Sequence, residues 1–244
     1  MTGAAPSCGA RAPGGPLAAR ETSGLDCGVR TGPPILAVFA SGNGTNFQSL
    51  AEASLRGELG GEIRVLMCDR PEAPVIERAS RLGIEAVTPP VGRFRSRIED
   101  ERPWLDALRE RGVEFIVLAG FMRRLHSTLL GAFPFKILNI HPSLLPAFPG
   151  LDAIGQALRQ GVRMTGCTVH LVDEALDGGP ILVQAAVPIR DDDTLETLEA
   201  RMHEGEHAVY PWAVHRYLTE AWRIEGRRVI WERGSEASVV EDEA

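Results

Sequence analysis

Two rhythms of apolar residues alternate along this chain. Short, predominantly apolar runs at Ile35–Ala40, 63–68, 84–87, 115–119 and 137–140 have the character of buried strands, and the unbroken ones, 35–40 and 115–119, that of strands covered on both faces, as in parallel sheets. Between them, apolar positions recur at helical spacing over about 46–56, 73–82 and 95–111. Gly60-Gly61, Gly83 and Gly112 close those segments. This alternation predicts an α/β domain with a doubly wound, mostly parallel central sheet and a Rossmann-like N-terminal half. Beyond residue 150 the order changes. A short helix, Ala153–Gln160, stops at Gly161, and strands are predicted over 165–172 and 181–187. A long helix over 195–218 follows Asp191-Asp192-Asp193-Thr194, a cap that sets acids at the positive helix end. A hairpin of 222–225 and 228–231 around Gly226 completes the pattern.

The ends of the chain lack either rhythm. Residues 1–33 are rich in Gly, Ala, Pro and Ser, and 235–244 are acidic; both are expected to be disordered, leaving 34–234 as one catalytic domain. A hydrophobic content of 44% is enough for a substantial core. The net charge of −7 disfavours nucleic acid or an anionic membrane as the main partner, though not a local basic pocket for a small anion. No run of 18 apolar residues is present, so no membrane helix is expected. The first 30 residues contain arginine and few acids, as transit peptides do, but Pro6, Pro13 and Pro16 would break the required helix. Cys8, Cys27, Cys68 and Cys167 form no C-x-x-C pair, which suggests reduced thiols and a cytoplasmic protein.

The chemistry concentrates where the 137–140 run ends. Asn139 and His141 stand two residues apart, so both project from one face of the strand. Pro142, Pro146, Pro149 and Gly150 then stop the strand and stiffen the loop. A carboxamide beside an imidazole at a strand end suits oxyanion and acid–base work, although the same pair would also serve as a strand cap. A second candidate is Ser41-Gly42-Asn43-Gly44-Thr45-Asn46, between strand and helix, where free amide groups favour an anion. It half-matches G-x-G-x-x-G, but Phe47 stands in place of the third glycine, which disfavours a nicotinamide cofactor. Asp69 occupies a place where a ribose-binding acid could lie, yet Arg70-Pro71 beside it reads as a turn.

Two further groups admit more than one reading. His203-Glu204-Gly205-Glu206-His207 fits the zinc pattern H-E-x-x-H, with His215 on roughly the same helix face. Gly205 weakens that helix centre and no metzincin-like continuation follows. Asp177, in Asp-Gly-Gly-Pro, is either a turn residue or a carboxylate brought beside His141 to favour the imidazolium. His126 and His170 read as structural, and Arg93, Arg95, Arg97, Arg102, Arg109 and Arg111 as a mostly solvated face.

Taken together, four blocks resemble the phosphoribosylglycinamide formyltransferases. They are 41–46, Leu118-Ala119-Gly120-Phe121-Met122-Arg123, 139–146 and Leu176-Asp177-Gly178-Gly179-Pro180, in that order, with Glu206-His207-Ala208-Val209-Tyr210-Pro211 as a fifth. The resemblance spans 35 to about 232 and implies transfer of a formyl group from 10-formyltetrahydrofolate, as co-substrate, to the amine of glycinamide ribonucleotide. It implies Asn139, His141 and Asp177 as the catalytic trio. Gly44, Thr45 and Asn46 would hold the ribonucleotide phosphate, with His203 and Glu206 at its glycinamide end. Met122, Arg123, Arg124 and Leu125, with Asn139, would line one wall of the folate pocket. Asp173, Glu174, Ala175, Leu176 and Asp177 would form the other, and Arg97 would touch the folate. No metal and no nucleic acid are implied, and the protein is expected to act as a monomer or homodimer.

Within the same fold, formyltetrahydrofolate deformylases resemble this chain less. They carry an N-terminal regulatory domain that 33 featureless residues are not expected to form, and a second histidine where Pro142 stands. Methionyl-tRNA formyltransferases add a C-terminal nucleic-acid-binding domain, at odds with the acidic balance here. A folate- or nucleotide-binding module without catalysis would not require the trio.

Overall fold

In the computed structural model, residues 32–232 are described. The segments expected to be disordered therefore lie almost wholly outside the described residues. The chain runs β1 (Ile35–Ala40), α1 (Thr45–Leu55), β2 (Glu62–Cys68), α2 (Pro74–Arg81), β3 (Glu85–Val87), α3 (Arg102–Glu110) and β4 (Phe115–Leu118). It continues with α4 (Ser127–Ala132), β5 (Ile137–His141), α5 (Ala153–Gln160), β6 (Met164–Leu171), β7 (Ile181–Pro188), α6 (Leu195–Thr219), β8 (Trp222–Glu225) and β9 (Arg228–Trp231).

All the strands join one sheet in the order β3-β2-β1-β4-β5-β6-β7-β9-β8. From β3 to β5 the pairing is parallel; β6 then runs antiparallel to both β5 and β7. Alternation along the central strands splits the core into two layers. Leu36, Val38, Phe115, Val117, Leu138 and Ile140 face a layer closed by Phe47, Leu50, Met202 and Tyr210. Ala37, Phe39, Ile116, Leu118 and Ile137 face the other, closed by Trp104, Leu105, Leu108 and Leu129. Coverage on both sides is why these strands lack the apolar–polar alternation of a half-exposed sheet.

One local expectation needs correction, and one helix was not expected. The helix expected over 95–111 begins only at Arg102. Pro103 fits a first turn but not a helix interior, where its ring and missing N–H would break the ladder. Residues before it instead run beside the β4 exit, with Arg97 bridging Arg124 and Ser96 O accepting from Arg124 N at 2.9 Å. The short helix α4 was not foreseen. Its end is capped from a distance, since the buried Glu101 carboxylate accepts from His126 N at 2.6 Å and from Leu129 N at 3.0 Å.

Candidate active site

The strand order reverses direction between β1 and β4, and in open α/β sheets such a switch point leaves a crevice at the carboxyl ends of the strands. Here the exits of β1 and β4 are tied together. Ser41 N donates to Gly120 O at 3.2 Å, and Met122 N donates to Ser41 Oγ at 2.9 Å. Helix α6 is pinned across the neighbouring strand ends by Tyr210, whose hydroxyl lies 2.8 Å from Leu118 O and 3.3 Å from Leu138 O. The result is a cleft of about 590 Å³, within the range of small-molecule sites.

On one side, α1 starts without a side-chain cap and without an acid in its first turn. Its first amides are therefore free for an anion, with the helix dipole behind them. Gly44 makes this start possible. Its φ is 78°, and a Cβ there would lie 2.3 Å from Val75 Cγ2. Arg78, which the sequence reading passed over, donates to Asn43 O at 2.7 Å and to Asn43 Oδ1 at 2.8 Å, stiffening the loop from outside. Phe47, at the third glycine position, is fully buried against the sheet.

Asn46, in the first turn of α1, lines the cleft, as do His203 and Glu206 of α6. Asn46 Nδ2 donates to Glu206 Oε2 at 2.8 Å. Burial raises the Glu206 carboxyl above its ordinary range; the hydrogen bond from Asn46 and, more weakly, the nearby His203 and His141 rings oppose that shift. Asn46 Oδ1 has no partner among the described residues, so one polar atom there still faces unmatched.

Asn139 stands at the middle of β5 and His141 at its end, on the face shared with Ile137. His141 Nε2 donates to Phe148 O at 2.9 Å, because a carbonyl can only accept. The other ring nitrogen, Nδ1, faces Asp177 Oδ2 at 3.6 Å, an ion-pair distance too long for a hydrogen bond. Asp177 is itself held: its Oδ2 accepts from Gly150 N at 2.8 Å, which joins its loop to the proline-rich one. Its φ of 50° puts it in the left-handed region. The tight loop needs Gly179 as well, since a Cβ there would fall 1.9 Å from Leu171 O. His170, read from sequence as structural, stands beside all of this: Nε2 is 3.1 Å from Asn139 Nδ2 and 3.8 Å from Asp177 Oδ1.

Met122, Arg123, Arg124, Leu125 and 173–177 border the same cleft, with Met122 and Leu176 about half exposed at its mouth. The Arg123 guanidinium, however, is engaged from behind. It pairs with the buried Asp69 carboxylate at 2.6 Å and also donates to the carbonyls of Phe94 and Arg97. Arg97 lies over the Phe94 ring at 4.1 Å and is not among the residues that border the cleft. Asp69 is thus spent on Arg123, not on a ribose. His203 and His207 stack with ring centroids 6.1 Å apart. Among the described residues, no group of three or more His, Cys, Asp and Glu is arranged to hold a metal ion. No helix among them is long and apolar enough to cross a membrane.

Residues 35–214 match the formyl transferase family. A phosphoribosylglycinamide formyltransferase of Bacillus subtilis is 47% identical over 182 residues, covering 75% of this chain and 93% of that protein. The Escherichia coli protein of the same name is 36% identical over 200 residues, covering 82% of this chain and 92% of its own length. Among solved structures, glycinamide ribonucleotide transformylase 1 from Symbiobacterium toebii superposes with a TM-score of 0.77 at 43% identity, covering 81% and 93% of the two chains. A formyltetrahydrofolate deformylase from Pseudomonas syringae, at 22% identity and a TM-score of 0.74, covers 82% of this chain and 66% of its own, and shares the fold.

Proposed function

The chain belongs to the formyl transferase family, and within it we propose transfer of the formyl group of 10-formyltetrahydrofolate to the amine of glycinamide ribonucleotide, a cytoplasmic step of purine synthesis. One observation carries this reading. Asn139, His141 and Asp177 border a single cleft between an uncapped helix start suited to a phosphate and a wall formed by 122–125 and 173–177 suited to a flat ring system. The similarity to the Bacillus subtilis enzyme supports glycinamide ribonucleotide as the acceptor.

Holding both substrates in one cleft makes the reaction effectively unimolecular. The amine nitrogen attacks the formyl carbon, and the carbonyl π pair moves onto oxygen to give a tetrahedral oxyanion. Asn139 Nδ2–H and His141 Nδ1–H are the donors assigned to that oxygen. Nδ1 is chosen because Nε2 is committed to the Phe148 carbonyl. Each such donor contributes about 10²–10³ in rate. The Asp177 carboxylate balances the positive imidazole and relays the proton lost by the amine to the folate nitrogen. That nitrogen then leaves with the C–N bonding pair, giving tetrahydrofolate and the formylated ribonucleotide.

The test is to mix the protein with 10-formyltetrahydrofolate, with and without glycinamide ribonucleotide, and follow tetrahydrofolate. Release that depends on the ribonucleotide is expected. Equal release without it would make the protein a deformylase, and no release in either case would make it a binding module.

A further inference from the structure

Asn139 and His170 are direct partners across the antiparallel β5–β6 ladder, so their side chains share one face of the sheet. The β6–β7 ladder slips by one residue next to His170, and such irregularities re-aim side chains near functional sites. The imidazole is 3% exposed, so solvent does not decide its partners. Two contacts do. Nδ1 lies 2.8 Å from the Leu171 carbonyl oxygen, which can only accept, so Nδ1 carries a proton. In the neutral ring Nε2 then presents a lone pair, and it points at the Asn139 side chain 3.1 Å away.

A lone pair discriminates between the two ends of a carboxamide. The NH2 end can donate to it, whereas the oxygen end would oppose it with lone pairs of its own, leaving two buried acceptors unmatched. The NH2 group carries two hydrogens. One is taken by His170, and the second remains for the cleft that Asn139 borders. We propose that His170 is a positioning residue for formyl transfer: its Nε2 lone pair holds the Asn139 amide with the NH2 group, not the oxygen, turned toward the formyl oxygen. This rests on the donor role given to Asn139 above.

The surroundings keep that lone pair available. Burial holds the His170 imidazole below its ordinary range, as does the His141 ring, against the opposing pull of the Leu171 carbonyl, Asp177 and Asp173. Asp177 Oδ1 stands 3.8 Å from Nε2, beyond hydrogen-bond range, and therefore does not displace Asn139. A neutral His170 also leaves the Asp177 charge to His141.

The test compares His170→Leu, which removes the acceptor, with His170→Gln, whose Oε1 reaches the Nε2 position and can accept again. Leucine is expected to lower kcat by about 10²-fold, the size of one lost oxyanion donor, with the ribonucleotide KM changed by less than about twofold. Glutamine should recover at least about tenfold of that loss. The decisive comparison is in an Asn139→Ala background, where His170→Leu should have no further effect on kcat, since the group it orients is gone. An equal fall in both backgrounds would overturn the proposal, as would a leucine variant with normal kcat. Should the leucine variant not fold, His170→Ala, which also removes the acceptor, gives the same cycle with Asn139→Ala, and an equal fall in kcat in both backgrounds overturns the proposal equally. Full turnover in Asn139→Ala itself would instead remove the donor role of Asn139, a failure of the earlier reading and distinct from this one.

Discussion

His141 turns Nδ1, not Nε2, toward Asp177, at 3.6 Å, while Nε2 donates to the Phe148 carbonyl. The two nitrogens therefore differ: one fixes the ring to the loop after β5, and the other is the one the proposed mechanism uses as a donor. Amide side chains can probe each role, because asparagine sets its nitrogen near the Nδ1 position and glutamine near Nε2. His141→Asn should retain a donor for the oxyanion and lose about 10-fold to 10²-fold in kcat. His141→Gln should keep only the Phe148 bond and lose about 10³-fold, as should His141→Ala. Steady-state kcat for the three variants checks this, and a glutamine variant more active than the asparagine one would reverse the assignment.

Glu206 links the site to stability. Its carboxyl is buried, and burial raises its pKa in the folded protein above the value in the unfolded chain. The folded state then binds the proton more tightly than the unfolded state. Its contribution to stability is full below the unfolded pKa and is lost as pH rises through the folded one. Glu206→Gln, neutral at every pH and still able to accept from Asn46 Nδ2, should match the wild type at about pH 4 and melt higher at about pH 8. The same variant should raise the ribonucleotide KM. Thermal melts across that pH range decide it; a Tm gain at acid pH and none at neutral pH would contradict the sign.

How much of this was readable from the residues depends on how local the cause is. Strands β1 and β4 are unbroken apolar runs because both faces are covered, and the final hairpin turns at Gly226 with a φ of 59°, so both could be seen in the order of residues. Helix α6 announces itself through Thr194 and Thr197, whose side chains and backbones cap one another. Helix α4 could not be seen, because Glu101 caps it from 25 residues away. The misplaced start of α3 was avoidable: Pro103 marks a first turn. Pairings across the sheet are the hardest case. Nothing in the order of residues says that His170 lies opposite Asn139; that follows from the β5–β6 register, which is set by packing along both strands.

Two glycines of the first loop look equivalent in the motif and are not equivalent in space. At Gly42 a Cβ would meet nothing within 4 Å, whereas Gly44 has a φ of 78° and a Cβ there would run into Val75. Gly42→Ala should leave stability within about 0.5 kcal/mol and change neither KM. Gly44→Ala should cost about 1–3 kcal/mol, and should raise the ribonucleotide KM by distorting the α1 amides. Urea titration of both variants, with KM for each substrate, separates them. Equal behaviour would show that the loop does not need the left-handed residue.

Arg123 borders the cleft, but its guanidinium holds structure. It neutralises Asp69, whose side chain is 2% exposed, and binds the carbonyls of Phe94 and Arg97, so it clamps the 94–97 segment against the exit of β4. Removing one partner of a buried pair leaves the other charge uncompensated, at a typical cost of about 3–5 kcal/mol. Arg123→Met should show a loss of that order in urea, and Asp69→Asn a smaller one, since the amide still accepts from Arg123. Adding Asp69→Leu to Arg123→Met should restore much of the stability by removing the stranded carboxylate, but not the clamp on Phe94 and Arg97. The double variant therefore distinguishes the two roles. If the clamp shapes the folate side of the cleft, the KM for 10-formyltetrahydrofolate stays raised in the double variant after stability has returned, while the ribonucleotide KM stays near that of the wild type. A folate KM that recovers together with stability would reduce Arg123 to the neutralisation of Asp69.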